Sequence, residues 1–310
     1  MIVGTVCLSH SPLRDRNRPA PEFDAEFGAA LREVASFVGE LKPDLTIIIY
    51  PDHVNGFHYG LMPCFCIGVE GASIGDYGTA AGKLNIPGDQ SLEMARAILN
   101  SGVDVALSYN MQVDHGAMQP LEWLSQDVPL FRFIPIFMNC AAPPLPTFER
   151  ARALGRAIGD WARSSPERVL IIGSGGLSHD PPVPALATAT PEVRSRLIQG
   201  GNLNYEQRVS RETRAHQEGL AMAQGTSALL PVNPEWDRMI LDAFIAGDLT
   251  VLDGASDQSI AETGGRGGHE ARTWVAALAA LGQNYSATEI FYAAINEWIT
   301  GIGVLRATPA

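Results

Sequence analysis

The stretch Gly173-Ser174-Gly175-Gly176-Leu177-Ser178-His179-Asp180-Pro181-Pro182 follows directly on the apolar run Val169-Leu170-Ile171-Ile172. A short β-branched and leucine-rich run cut off by glycines reads as a buried strand ending in a tight turn, because glycine enters such turns without a Cβ penalty. The last polar group it delivers is His179. The same order of apolar run, small or polar residues and histidine recurs three times: at Ile2–Leu8 before His10, at Leu45–Tyr50 before His53, and at Val103–Tyr109 before Asp114-His115-Gly116. Open α/β sheets bind ligands in the crevice outside the carboxyl ends of their strands, so the pattern predicts that these histidines meet at one sheet edge.

The segments between the runs supply the rest of an α/β pattern. Over Pro21–Leu41, Phe23, Phe27, Leu31, Val34 and Phe37 recur at near-helical spacing; strand, helix, strand is the crossover unit of a parallel sheet. Beyond His53, residues 54–60 read as an irregular wall, 61–69 as a strand and 71–88 as a glycine-rich loop, with a helix over Ser91–Asn100. A helix is predicted to begin near Pro120, a residue suited to a first turn, and a strand falls within Val128–Met138, interrupted by Pro135. Thr147 caps a helix carrying Phe148, Ala151, Leu154, Ile158 and Trp161. Pro181–Thr190 is a loop, residues 191–224 are polar and helical, Asn233–Leu252 reads as two short helices, and a final helix covers Ala271–Leu278. No low-complexity linker or internal repeat divides the chain, so one domain over residues 1–310 is expected.

A net charge of −12 argues against a nucleic-acid surface and means that an anionic substrate needs a local basic patch. Cys7, Cys64, Cys66 and Cys140 form no C-x-x-C pair, which suits a reducing cytoplasm. Met1-Ile2-Val3-Gly4 lacks the charged start of a signal peptide, and no apolar run approaches the roughly 18 residues of a membrane span.

Two imidazoles and one carboxylate on one face leave coordination positions open, the signature of non-haem Fe(II) oxygenases; zinc hydrolases use the same ligand types. His10 and His53, at the ends of the first two runs, are the candidate imidazoles. Glu270 is the candidate carboxylate, because it opens a helix after the densest glycine cluster, Gly264-Gly265-Arg266-Gly267-Gly268; otherwise it is a first-turn glutamate facing the helix dipole. Asp52, Asp114 and Asp180 adjoin histidines, and neighbours in an extended segment point opposite ways, so they are expected beside the ligands or in solvent. His115 and His179 are the candidate acid and base, since imidazole titrates near neutral pH. His58 lines the pocket or packs, while His216 and His269 are expected to be structural or exposed. The chain has no G-x-S-x-G elbow and no Walker A lysine, which leaves serine-hydrolase and nucleotide-binding readings weak.

Five elements taken in order resemble the class III extradiol ring-cleaving dioxygenases: Cys7-Leu8-Ser9-His10-Ser11-Pro12-Leu13, Pro51-Asp52-His53-Val54-Asn55-Gly56-Phe57, Met111-Gln112-Val113-Asp114-His115-Gly116, Gly173–His179, and His269-Glu270 with Thr273-Trp274-Val275-Ala276-Ala277. The resemblance extends to Glu297-Trp298-Ile299 and so covers nearly the whole chain. It implies a three-layer α/β/α fold around a mostly parallel or mixed sheet, with the site at the strand carboxyl ends, and a homo-oligomer. It implies a mononuclear Fe(II) enzyme that uses O₂ to open a catechol beside its two hydroxyls, with 3-(2,3-dihydroxyphenyl)propionate or 2,3-dihydroxycinnamate as the expected substrate. By the same resemblance, His10, His53 and Glu270 match the iron ligands, His115 the proton donor and His179 the proton acceptor. A propionate tail needs a cation; Arg266 is the first candidate, with Arg14, Arg16 and Arg18 as alternatives, and His58 is a candidate substrate contact. A zinc hydrolase built on the same cluster and a non-catalytic binding protein of the same fold are the competing readings. Ala293-Ala294, before Ile295-Asn296-Glu297-Trp298, leaves room for a differently substituted catechol.

Overall fold

The computed structural model describes residues 1–126, 129–201 and 203–310. In chain order its elements are β1 (Ile2–Leu8), α1 (Pro21–Leu41), β2 (Leu45–Tyr50), β3 (Phe65–Gly68), β4 (Gly71–Ser73), β5 (Gly82–Lys83), α2 (Gly88–Asn100), β6 (Ala106–Ser108), β7 (Met111–Val113) and α3 (His115–Leu124). There follow β8 (Phe133–Met138), α4 (Phe148–Ser164), β9 (Val169–Ser174), α5 (Pro191–Gln199), α6 (Tyr205–Ala223), α7 (Pro234–Ile245), α8 (Asp257–Thr263), α9 (Ala271–Ala279), β10 (Tyr285–Ile295) and β11 (Thr300–Pro309).

The central sheet has the order β10-β11-β1-β9-β2-β8-β3-β6. Strands β1, β9, β2 and β8 run parallel, which explains their unbroken apolar runs: both faces are covered by helices. Alternate side chains go to opposite layers. Ile47, Ile49, Val169 and Ile171 pack against α2, α4, α7 and α9, whereas Ile48, Tyr50, Leu170 and Ile172 pack against α1 and α3. The result is the expected three-layer α/β/α arrangement around a mixed sheet, since β11, β10 and β3 run against their neighbours. Among the described residues no helix is long and apolar enough to cross a membrane.

Several local expectations are corrected. The run Val103–Tyr109 contributes only β6, an edge strand far from the other histidine-bearing strands, so it does not deliver His115. That task falls to β7, which pairs with β4 in a separate three-stranded sheet; β4 and β5 of that sheet lie inside the segment read as a loop. Helix α3 starts at His115, with Asp114 as its cap, and carries Pro120 in its interior. The strand sought in Val128–Met138 begins at Phe133; Val128 lies outside the described residues. Pro135 sits within β8 opposite Ile48, and the ladder from β3 stops at Ile136, where no Pro135 N–H is required. Only one helix, α7, forms within Asn233–Leu252, and the long hairpin β10–β11 closes the sheet edge beside β1.

Candidate active site

Strands β1, β9 and β2 lie side by side and parallel, so their carboxyl ends open into one space. His10 follows β1, His53 follows β2, and β9 ends on Ser174. His10 Nδ1 lies 2.9 Å from the Ser174 hydroxyl. That hydroxyl donates its one proton to the Gly116 carbonyl at 2.5 Å, so Nδ1 of His10 must be the donor and Nε2 carries a lone pair. The Gly116 carbonyl is available because its helical partner would be the N–H of residue 120, and Pro120 has none. A helix-interior proline is thereby linked to the tautomer of His10.

The other three imidazoles follow the same rule. His53 Nδ1 lies 2.9 Å from Asp114 Oδ2, and the same oxygen accepts the His53 N–H and the Asn55 amide, each at 2.9 Å. The second oxygen of Asp114 caps α3 through the Gly116 N–H. Burial opposes ionisation of Asp114, but His53, His115 and these hydrogen bonds outweigh it and hold the carboxyl below its usual range. His115 Nδ1 lies 2.6 Å from Asp76 Oδ2, and its backbone N–H donates to Asp76 Oδ1 at 2.8 Å. His179 Nδ1 donates to the Leu177 carbonyl at 2.9 Å. Each imidazole is thus anchored through Nδ1, leaving Nε2 for the pocket that all four line.

His10 Nε2 and His53 Nε2 stand 3.4 Å apart. Glu270 Oε1 is 3.8 Å from His53 Nε2 and 3.4 Å from His179 Nε2. The other oxygen of Glu270 accepts the Gly176 N–H at 2.6 Å, which aims Oε1 inward. Burial alone would raise the Glu270 pKa, yet His179, His10 and His53 bring it down to about 2. Burial lowers His10 to about 3, so it is neutral at ordinary pH. The Nε2 atoms of His10 and His53 and the ionised Glu270 carboxylate, each side chain anchored from behind, therefore turn towards one space, an arrangement that suits a cation. Donors about 2.1 Å from one ion stand about 3.0 to 3.4 Å apart at angles of about 90 to 110°. The His10–His53 pair already has that spacing and His53–Glu270 is a few tenths of an ångström wider, but the three donor atoms do not all lie within 4.8 Å of one another, so Glu270 must swing towards His10 for the three to share an ion.

Among the described residues it is His115, not Glu270, whose donor atom lies within 4.8 Å of those of both His10 and His53. Its environment argues for a different task. Burial disfavours its charged form, but Asp76 and Asp114 overcome that and raise its pKa above the ordinary value, which favours a proton on the nitrogen that a ligand must leave open. It stacks on His53 with ring centroids 4.2 Å apart, and Tyr77 packs edge-on against it at 4.8 Å. His179 is partly buried, with its pKa raised against that desolvation by Glu270. A Cβ on Gly267 would overlap the His179 imidazole, so one glycine of the 264–268 cluster makes room for that ring.

Glu270, His10, His53, His115 and His179 thus share one pocket, whose apolar walls include Pro12, Leu13, Pro182, Val183 and Trp298. Arg266 does not line it. Its guanidinium is bound by Asp180 at 2.6 Å and by the carbonyls of Val183 and Pro181, so it braces the 180–183 loop. Arg14 lies over Phe27 and Trp123, Arg16 pairs with Glu212, and Arg18 is exposed. His58 lines an adjoining cleft, with its buried Nδ1 lacking a partner among the described residues. His216 bonds Asn17, and His269 is buried against Arg272, both away from the pocket. Sequence reasoning missed Asp76, Ser174 and Arg211. Asp76 sits in a stretch without an apolar run, and neither of the others stood out by residue type.

The comparisons with known proteins agree with this arrangement. A protein of Paraburkholderia xenovorans (strain LB400) is 47% identical over 305 residues, covering 98% of this chain and 96% of its own. Proteins of a Rhodococcus species and of Mycobacterium sp. (strain MCS) are each 46% identical, with at least 98% of both chains covered. All three bear the name 2,3-dihydroxyphenylpropionate/2,3-dihydroxicinnamic acid 1,2-dioxygenase. Residues 4–303 match the family described as the catalytic LigB subunit of aromatic ring-opening dioxygenase. With identity spread along the full length and the histidines gathered in one pocket, the chain belongs to this family of extradiol ring-opening dioxygenases.

Proposed function

We propose that the protein is an Fe(II)-dependent extradiol dioxygenase that cleaves 3-(2,3-dihydroxyphenyl)propionate and 2,3-dihydroxycinnamate. Both atoms of O₂ enter the product, a 2-hydroxy-6-oxo-dienoate, so atoms balance without another reductant. The observation that carries the reading is the gathering of His10 Nε2, His53 Nε2 and Glu270 Oε1 in one pocket, 3.4 Å apart for His10–His53 and 3.8 Å for His53–Glu270. These residues would hold the iron. Bound Fe(II) supplies Lewis acidity towards the catechol oxygens and an electron path between ring and O₂.

The chain's own residues divide the proton work. His179, whose Nε2 faces Glu270 Oε1 at 3.4 Å, would accept a phenolic proton; a dication on Glu270 would cancel the field that raises the His179 pKa and so favour the base form. His115, kept charged by Asp76, returns a proton from Nε2 as the ring opens. The apolar walls exclude water from the reacting ring. The buried free thiols Cys7, Cys66 and Cys140 support a reducing, cytoplasmic setting, and the enzyme is expected to work as a homo-oligomer.

Oxygen uptake with a panel of 3-substituted catechols and added Fe(II) tests the reading. One O₂ consumed per ring, with a yellow ring-fission product, is the expected result. Absence of uptake with Fe(II), together with hydrolytic activity under Zn(II), would overturn it.

A further inference from the structure

Arg211 is the arginine that lines both the histidine pocket and the larger cleft opening beside it. It projects from α6, and its guanidinium lies against the backbone of an expected iron ligand. Nη2 donates to the His53 carbonyl and Nη1 to Asn55 Oδ1, each at 2.7 Å. Both acceptors are neutral. Among the described residues no carboxylate pairs with Arg211, whereas Arg266 is taken by Asp180 and Arg16 by Glu212. A guanidinium has five N–H donors in a planar fork, and two bonds leave the rest for a ligand.

The cleft amplifies that charge. Arg196, Arg208, Arg211 and Arg214 line it, against Asp76 and Glu212. Asp76 is occupied by His115, and Glu212 by Arg16 and the Tyr77 N–H. In a chain of net charge −12 this is a local positive basin next to the reacting centre. The substrates named for the similar proteins share a carboxylate at the end of a three-carbon side chain.

We propose that Arg211 receives that terminal carboxylate and selects carboxylated over neutral catechols; the inference rests on the dioxygenase reading above. The bonds to His53 O and Asn55 fix the fork beside the ring site, so the tail runs from the pocket into the cleft. Loss of a charge-assisted pair has a cost that translates into about 10- to 100-fold in binding.

The test compares kcat/KM for 3-(2,3-dihydroxyphenyl)propionate with that for 3-methylcatechol in the iron-loaded wild type, Arg211→Gln and Arg211→Lys. Calorimetric affinity for 3-phenylpropionate, which has no hydroxyls, provides a readout apart from turnover. In Arg211→Gln the acid-to-methylcatechol ratio is expected to fall about 10- to 100-fold, mainly through KM, and 3-phenylpropionate binding to weaken in parallel. Arg211→Lys keeps the charge without the fork and should fall between the two; it carries the test if the glutamine variant does not fold. An unchanged ratio in the folded variants, or a wild type that prefers 3-methylcatechol, overturns the role of Arg211 and leaves the dioxygenase reading standing. A wild type that cleaves neither catechol instead overturns that reading.

Discussion

His10 and His115 rest on partners of different charge, and the difference matches the tasks proposed for these two. His10 rests on a neutral hydroxyl and is held uncharged by burial, as a ligand requires. His115 rests on a buried carboxylate, which favours imidazolium and suits an acid. In Asp76→Asn the bond to Nδ1 can persist while the charge is lost, so the pKa of His115 falls. If turnover needs protonated His115, the alkaline limb of kcat reports that pKa. It is expected to move about 1 to 3 units lower, with activity at pH 8 reduced accordingly. A pH–rate profile checks this; an alkaline limb that stays in place would detach His115 from the acid role.

At the scale of elements, the position of Glu270 depends on how closely α9 approaches α4. Gly155 and Gly159, one turn apart on α4, face the carbonyls of Ala276 and Ala280, and a Cβ on either would overlap them. Alanine would gain about 0.5 to 1 kcal/mol in helix preference, but overpacking against backbone costs about 1 to 3 kcal/mol, so the steric effect wins. Gly159→Ala is expected to lower stability by about 1 to 2 kcal/mol in denaturant unfolding. The displaced helix should also weaken iron retention, because α9 follows directly on Glu270. A variant as stable as the parent would show that the contact relaxes freely. Strands β1, β2 and β9 were legible because long apolar runs buried on both faces leave a strong signal. β7 was not, since three residues cannot show a period, and the edge strand β6 nearby imitated the expected pattern.

At the scale of the whole molecule, the fold gathers groups from positions 10, 53, 115, 179 and 270 into one pocket; strand ends or glycine context marked all but His115, which a separate small sheet delivers. Their partners were not marked. Asp76 and Arg211 reach the site through contacts 39 and 158 residues away in the chain, and such pairings leave no local pattern. Net charge pointed the same way: −12 predicted that an anionic ligand would need a local patch, but not that α6 would supply it. Long-range attraction to that patch should weaken with salt, so KM for the carboxylated catechol is expected to rise with ionic strength while that for 3-methylcatechol holds. The central claim is that His10, His53 and Glu270 grip a single ferrous ion, and anaerobic Fe(II) titration of metal-free protein tests it most directly. The expected result is one ion per chain in the wild type and in His179→Ala, with affinity reduced on the order of 100-fold or more in Glu270→Ala. Wild-type affinity in Glu270→Ala would contradict it.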